Sequence, residues 1–213
     1  MLPPYLGQLD KERHEVFKQL EHFSSHFVLA GGTAIMLQIG HRKSYDFDCF
    51  SEKPIPKNTD KMAYDIFGRN ITIRYQVRDQ ITLVTPTNVE ITYVCHPYKP
   101  LRKIIQTESI PLFHLDDLAA NKAMTIGKRG TWRDYVDLFF LLRKKLYSIS
   151  TLIDLAEKKF AGMFSEKLFL GQLTYFGDLD IATIVFIKES YKEKEIKAFL
   201  EKQVEEYIQK RLR

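Results

Sequence analysis

The sequence predicts an α+β protein, with a small mixed or antiparallel sheet of about five strands, flanking helices and a C-terminal helical domain. Two observations support this fold class. Short runs rich in β-branched and aromatic residues lie before residue 100, whereas from Leu115 onward the apolar residues recur at helical spacing. We therefore expect a first domain over residues 1–100 and a helical domain over residues 101–213.

Three of the predicted strands follow one another closely. The runs NITIRYQV (70–77) and QITLVT (80–85) alternate in polarity, and VEITYVC (89–95) follows after a short turn. Strands joined by such short connections favour an antiparallel meander. With the earlier runs FVLA (27–30) and DFDCF (46–50), they predict a mixed sheet.

The helices are predicted from apolar spacing and from residues typical of helix ends. One helix begins at Asp10, a favourable N-cap residue, and runs to Ser24. Thr131 and Asp134 have the spacing of a capping box at the start of another. The C-terminal domain is expected to hold helices over 115–126, 131–142, 150–160, 165–173 and 193–211.

Composition limits the class of protein. A content of 45% hydrophobic and 28% charged residues is typical of a globular domain, and the net charge of +5 suits a polyanionic partner without requiring one. No stretch reaches the roughly 18 apolar residues of a membrane span, and we find no signal peptide, so a cytoplasmic protein is expected. Cys49 and Cys95 are expected to pack as small apolar side chains without forming a disulfide.

The most informative stretch is FVLAGGTAIMLQIGHRKSYDFDCFS, residues 27–51. An apolar strand breaks at Gly31-Gly32-Thr33 and continues as a helix. Glycine permits positive φ and close backbone approach, Thr33 is a candidate helix cap, and the unpaired N–H groups of a helix N-terminus favour an anion. On its own a Gly-Gly turn is also an ordinary tight turn, but here it predicts a phosphate site.

Two carboxylates follow the helix. Asp46 and Asp48 lie two residues apart in a predicted strand, which places them on one face about 6.5 Å apart. A carboxylate pair of this kind holds Mg²⁺ together with the phosphates of a substrate, although it could also be solvated or paired with nearby cations. The glycine turn and the acid pair together predict an NTP bound with Mg²⁺ or Mn²⁺.

Two stretches resemble the motifs of a known family. GGTAIMLQIGHRKSYDFDCF (31–50) and LDDLAANKAMTIGKRGTWRDYVDLFFLL (115–142) are similar to motifs of the AbiEii/AbiGii toxin family, within the DNA polymerase β-like nucleotidyltransferase superfamily. The resemblance implies a metal-dependent transfer of NMP from an NTP to an acceptor such as RNA, including the 3′ end of tRNA. It also implies the toxin of a toxin–antitoxin or abortive-infection pair and a partner antitoxin.

The resemblance also implies roles for individual residues. Asp46 and Asp48 would hold the metal, and Lys122 would contact triphosphate oxygens. Asp134 and Asp137 would complete the site. The expected catalytic set is therefore Asp46, Asp48, Lys122 and Asp134, and the expected nucleotide-binding set is Gly31, Gly32, Thr33, Arg42, Ser44, Lys122 and Asp137.

The residues alone leave simpler interpretations of this second cluster open. Lys122 could be a solvated lysine, and Asp134 could cap its helix or pair with the neighbouring Arg133. Asp137 precedes a very apolar run, so its carboxylate needs a partner, for which the candidates are Arg129, Arg133 and Lys122.

A third metal ligand is the least certain part of the site. Enzymes of the resembled superfamily carry another carboxylate on a later strand, and Glu90 is the candidate here. Thr92 lies on the same face and could occupy that position instead, in which case the third ligand is missing. This alternative motivates a rival function, a catalytically degenerate module that binds nucleotide or RNA. A second rival is a protein-interaction module whose aspartates only balance nearby cations.

Overall fold

The computed structural model describes residues 3–212, which form two compact units. One unit ends at His114 and the other begins at Leu115. The expected division lay near residue 100. It falls later because residues 105–113 bond to the first unit: Leu29 donates its N–H to Pro111 and accepts one from Phe113, at 2.7 and 3.1 Å.

The first unit is built on a five-stranded mixed sheet in the order β1-β2-β5-β4-β3. The strands β2 and β5 are parallel, and every other neighbouring pair is antiparallel. This confirms the predicted fold class, including the meander formed by the last three strands. The strands are β1 (Val28–Ala30), β2 (Phe47–Ser51), β3 (Thr72–Val77), β4 (Gln80–Val84) and β5 (Glu90–Cys95).

Helices pack around this sheet and close its apolar core. Tyr93 of β5 is fully buried, and its ring lies 5.0 Å from the ring of Phe23 and 4.8 Å from that of Phe27. Asp10 caps the first helix through a 3.0 Å bond from the N–H of Arg13, as predicted. The helices of this unit are α1 (Lys11–Gln19), α2 (Gly31–Ile39) and α3 (Thr59–Phe67), with short 3-10 helices at Leu6–Gln8 and Leu20–Phe23.

The second unit is helical, as the apolar spacing predicts. Its first helix continues past the predicted end at residue 126 and runs to Arg129. The predicted capping box of Thr131 and Asp134 is present. Within residues 3–212, no helix has both the length and the apolar character needed to cross a bilayer. The helices are α4 (Leu115–Arg129), α5 (Trp132–Arg143), α6 (Ile149–Phe160), α7 (Glu166–Leu173) and α8 (Glu193–Arg211).

Candidate active site

The glycine turn and the acid pair lie together in the first unit. Gly31 has a φ of +64°, a left-handed conformation that favours glycine. A Cβ atom at Gly31 would overlap the carboxylate of Asp48, so the absence of a side chain is what lets this carboxylate approach the backbone. Because Gly31 begins α2, the Asp48 carboxylate lies at the N-terminal end of that helix, where the helix dipole favours negative charge.

The second glycine of the turn makes room for two further predicted residues. A Cβ at Gly32 would lie 2.5 Å from Nη2 of Arg42 and 3.1 Å from Oγ of Ser44. Arg42 is buried, with 3% of its surface exposed, and its Nη1 donates to the carbonyl of Lys43 at 3.0 Å. Gly32 does not have positive φ, so it is required here for close approach and not for its conformation.

Thr33 does not cap α2, contrary to the prediction. The helix begins at Gly31 with Ala30 in the N-cap position, so Thr33 already lies within the first turn. Its hydroxyl instead donates a short hydrogen bond to the backbone carbonyl of Asp46. The side chain therefore ties the glycine turn to the acid pair, a link that spans 13 residues of sequence.

Strand β2 presents Asp48 on the more exposed face of the sheet. Burial alternates along the strand: Phe47 and Cys49 are buried, while Asp48 is partly exposed. Burial raises the pKa of the Cys49 thiol well above its ordinary value, and the neighbouring Asp48 charge raises it further. Asp46 precedes the first strand residue and is also partly exposed. The thiol therefore stays protonated in the core, while the acid pair remains open to ligands.

The position beside Asp48 on the neighbouring strand is held by Thr92. The two residues are paired in the parallel β2–β5 ladder, so their side chains share a face. Glu90 lies one step before the ladder, and its Oε2 accepts a 3.1 Å bond from Nη1 of Arg74 on the edge strand β3. Within residues 3–212, no group of three or more His, Cys, Asp or Glu side chains is placed to hold one metal ion.

These donors fit a hard divalent cation. Mg²⁺ accepts oxygen ligands, retains several waters and is commonly held by one or two carboxylates together with substrate phosphates. Asp46 and Asp48 supply such a pair, and Glu90 is held by Arg74 in this structure. The third-ligand role of Glu90 remains a prediction.

The residues predicted in the second unit form a buried cluster of their own. Lys122 on α4 places its Nζ 2.5 Å from Oδ1 of Asp134 and 2.7 Å from Oδ2 of Asp137, both on α5. Asp137 is fully buried, and Lys122 and Asp134 are 9% and 8% exposed. Lys122, one of the partners that the sequence left open for Asp137, forms an ion pair with it. The side chain of Arg129 lies outside the described residues.

Asp134 caps its helix, which is one of the roles that the sequence left open, and it also forms an ion pair with Lys122. Its Oδ2 accepts 2.8 Å bonds from the backbone N–H and the hydroxyl of Thr131, completing the capping box. Burial alone raises the pKa of Asp134, but the charge and hydrogen bond of Lys122 outweigh it, and the pKa is lowered from its ordinary value. The aspartate is therefore ionised at neutral pH.

Sequence patterns did not reveal the residues that hold the loop between α2 and β2. Arg13 of α1 donates from Nε to the carbonyl of Tyr45 at 2.8 Å, and Lys43 donates from Nζ to the carbonyl of Gln8 at 2.5 Å. These contacts span 32 and 35 residues. Local spacing carries no signal for them, because it reports only on neighbours within one helix or strand.

Comparisons with known proteins agree with the predicted resemblance. The family model described as nucleotidyl transferase AbiEii toxin, type IV TA system, matches residues 17–212. A protein of Aquifex aeolicus (strain VF5), the uncharacterized protein aq_aa25, is 30% identical over 211 residues, covering 96% of this chain and 100% of that protein.

Two solved structures share the fold. MenT4, a nucleotidyltransferase toxin of Mycobacterium tuberculosis H37Rv, matches with a TM-score of 0.62 and 14% identity, covering 93% of this chain and 82% of its own. JHP933 of Helicobacter pylori matches with a TM-score of 0.57 and 18% identity, covering 99% of this chain and 94% of its own. At these identities the likeness shows the fold alone.

Proposed function

This chain belongs to the AbiEii family of nucleotidyl transferase toxins of type IV toxin–antitoxin systems, and from that premise we propose a metal-dependent reaction on an RNA acceptor. As a family member it is a nucleotidyltransferase. In the proposed reaction an NMP passes from an NTP to a hydroxyl of RNA, with the 3′ end of tRNA as the first acceptor to test. The observation that carries the proposal is the close approach of the Asp48 carboxylate to Gly31 at the start of α2.

The glycine turn supports the nucleotide side of the proposal. The first N–H groups of α2 have no acceptor within the helix and favour an anion, here the triphosphate. Arg42 and Ser44 lie over Gly32, which adds a guanidinium and a hydroxyl next to this helix end. Arginine donates in a planar fork that matches phosphate oxygens. Asp48 at the same place is itself anionic, and a bound divalent cation would offset its repulsion of the phosphates.

The reaction is a substitution at the α-phosphorus. The acceptor hydroxyl oxygen forms the new P–O bond, and the bond from the α-phosphorus to the bridging oxygen breaks, so that pyrophosphate leaves with the electron pair. The hydroxyl proton passes to a carboxylate, for which Glu90 is the proposed acceptor. Asp46 and Asp48 would hold Mg²⁺ or Mn²⁺, which lowers the cost of charge developing on the reacting oxygens.

The buried cluster of the second unit supports a role in triphosphate binding. Two carboxylates hold the Lys122 ammonium in place before any ligand binds. The side chain therefore loses less conformational entropy on binding a phosphate than a flexible lysine would. In the proposal, Lys122 contacts triphosphate oxygens, and Asp134 and Asp137 orient it.

The acceptor and the partners are proposed from chemistry and family. The net charge of +5 suits RNA, because phosphate neutralisation by Lys and Arg supplies much of nucleic-acid affinity. A type IV toxin–antitoxin family suggests an antitoxin that restrains the toxin. We propose that the protein acts in the cytoplasm, where NTPs and tRNA are available.

The proposal is tested by incubating the protein with Mg²⁺ or Mn²⁺, each labelled NTP and total cellular RNA. We expect label in RNA and release of pyrophosphate. Asp46→Ala should abolish both without changing the unfolding temperature, because Asp46 is partly exposed. Asp65→Ala, which removes an exposed carboxylate of the same unit, is the matched control and should keep full activity. Absence of label with every NTP and either metal would rule out the reaction.

The rival is a degenerate module that binds nucleotide or RNA without catalysis. It is favoured by one observation, the placement of Thr92 beside Asp48 while Glu90 is paired with Arg74. This rival predicts an NTP-induced rise in unfolding temperature and no pyrophosphate release. A pyrophosphate assay on the same samples therefore separates the two functions.

A further inference from the structure

We infer that residues 5–13, which precede the family match at residue 17, form a clamp that sets the position of the Asp46 carboxylate. We call residues 5–13 the N-terminal clamp and residues 40–46 the acid loop. Within the clamp, Arg13 is the positioning residue for Asp46. The inference rests on the proposed function for its catalytic consequence, whereas the clamp itself is defined by contacts within the first unit.

The acid loop lies outside the regular ladders. It begins after α2 ends at Ile39 and stops before β2 begins at Phe47, yet it carries Arg42, Ser44 and Asp46. It belongs to no helix and to no regular ladder, and Arg42 within it makes an isolated β-bridge. Toward its end, where Asp46 lies, its backbone carbonyls accept hydrogen bonds from the side chains of Arg13 and Thr33.

The clamp first contacts the acid loop where it leaves α2. The N–H of Tyr5 donates to the carbonyl of Leu37 at 3.2 Å. Gly40 has a φ of +58°, and the ring of Tyr5 occupies the space that a Cβ at Gly40 would need. The ring and the glycine thus fix the direction in which the acid loop departs from the helix.

Two cationic side chains, one from each segment, link the clamp and the acid loop. Lys43 of the acid loop donates from Nζ to the carbonyl of Gln8 at 2.5 Å. Arg13 of the clamp donates from Nε to the carbonyl of Tyr45 at 2.8 Å. Each segment therefore supplies one cation to a backbone carbonyl of the other, and the two segments are held at both ends of the contact.

Arg13 is itself held by three further contacts. Its Nη1 lies 2.6 Å from Oδ2 of Asp10, its backbone N–H donates to Oδ1 of Asp10 at 3.0 Å, and its guanidinium lies 4.8 Å from the centre of the Tyr45 ring. Contacts at the edge and on the face of the guanidinium plane leave the Arg13 side chain few accessible rotamers. The donor to the Tyr45 carbonyl is therefore pre-positioned by the capped start of α1.

The peptide planes on both sides of Asp46 are anchored by side chains. The Tyr45 carbonyl belongs to the planar peptide that precedes the Asp46 Cα, and the Asp46 carbonyl belongs to the one that follows it. Arg13 bonds the first plane and Thr33 bonds the second. Fixing both planes fixes φ and ψ of Asp46, and with them the direction of its Cα–Cβ bond. Arg13 thereby positions Asp46 without needing to touch its carboxylate.

Loss of this anchor should impair catalysis more than folding. A shift of about 1 Å at a reacting group costs up to roughly a hundredfold in rate. We expect Arg13→Ala to lower kcat about tenfold to a hundredfold and to raise the Mg²⁺ concentration for half-maximal activity, with little change in KM for the NTP. Lys18→Ala on the same helix removes an exposed pair with Glu15 and should leave all three values unchanged.

The test combines these kinetics with amide hydrogen exchange of the full-length wild type, Arg13→Ala and Lys18→Ala. Faster exchange confined to residues 40–47 in Arg13→Ala, together with the lower kcat, would support the clamp. Wild-type exchange and kcat in Arg13→Ala would overturn it, as would a general rise in exchange across the unit, which indicates unfolding. If the wild type transfers no nucleotide, the proposed function fails, and the exchange data alone then decide whether the clamp exists.

Discussion

Gly31→Ala would place a methyl group where the Asp48 carboxylate lies, and its effect follows from two separate costs. The first is conformational: Gly31 has a φ of +64°, and a left-handed conformation costs an L-residue about 1–2 kcal/mol. The second is the overlap with Asp48. The clash involves Cβ of Asp48 at 3.0 Å as well as its carboxylate, so rotating the side chain does not fully relieve it.

The two costs add to a measurable loss. Moving Asp48 off its preferred rotamer costs about 0.5–1.5 kcal/mol, so the free energy of unfolding should fall by about 1.5–3.5 kcal/mol in total. Gly162→Ala is the matched control, because Gly162 has a φ of +82° and no atom within 4 Å of its added Cβ. It should lose only the conformational part. Activity should fall at least tenfold in Gly31→Ala and stay unchanged in Gly162→Ala.

Urea unfolding of Gly31→Ala, Asp48→Ala and the double variant forms a cycle that isolates the overlap. Removing the Asp48 carboxylate should recover about 1 kcal/mol of the Gly31→Ala loss, since the methyl group then meets less of the side chain. Additive free energies would refute the overlap. A Gly31→Ala protein with wild-type kcat would refute the claim that the glycine turn places Asp48 for catalysis.

Two further predictions concern buried charges of the helical unit. Asp117→Ala should lower the free energy of unfolding by about 3–5 kcal/mol, because it removes a buried carboxylate partner of Lys159. Burial already lowers the pKa of Lys159 despite a 2.8 Å contact with Asp117. Asp117→Leu combined with Lys159→Met should lie close to wild type, and a double variant as unstable as Asp117→Ala would contradict this. Because folding lowers the pKa of Asp134, the ionised carboxylate stabilises the folded protein at pH values above the ordinary carboxyl pKa of about 4. This stabilisation is lost as the pH falls through the lower pKa of the folded state. Urea midpoints of Asp134→Asn should therefore depend less on pH below about 4 than those of the wild type, and parallel curves would contradict the assignment.

The fold was largely predictable because its elements have strong local signals. The alternation in 70–77 and 80–85 located β3 and β4, and helical spacing located α4 to α8. Capping chemistry at Asp10 and at Thr131 with Asp134 depends on residues three apart, so it was also predicted correctly. The family resemblance, confirmed by the match over residues 17–212, lies in ordered motifs of the same local kind.

Thr33 marks the point at which local inference failed. Its type and position suit an N-cap, but α2 begins two residues earlier and the hydroxyl reaches the Asp46 carbonyl instead. Glu90 and Thr92 were equally good candidates by the period of two. The structure distinguishes them, because the register of β5 against β2 places Thr92 beside Asp48, whereas Glu90 is paired with Arg74 of the edge strand.

The sequence by itself determined which candidate residues stand close together along the chain: the glycines of a strand-to-helix turn, two aspartates two positions apart, and a lysine and two aspartates on predicted helices. Such patterns involve only residues that are near one another in sequence, and the regular geometry of helices, strands and turns decides which of those side chains share a face. The tertiary structure decided what each residue contacts. It placed Asp48 over Gly31, paired Lys122 with both Asp134 and Asp137, and brought Arg13 to the Tyr45 carbonyl. Those contacts join residues 12 to 32 positions apart, and only packing of the whole unit selects among such partners.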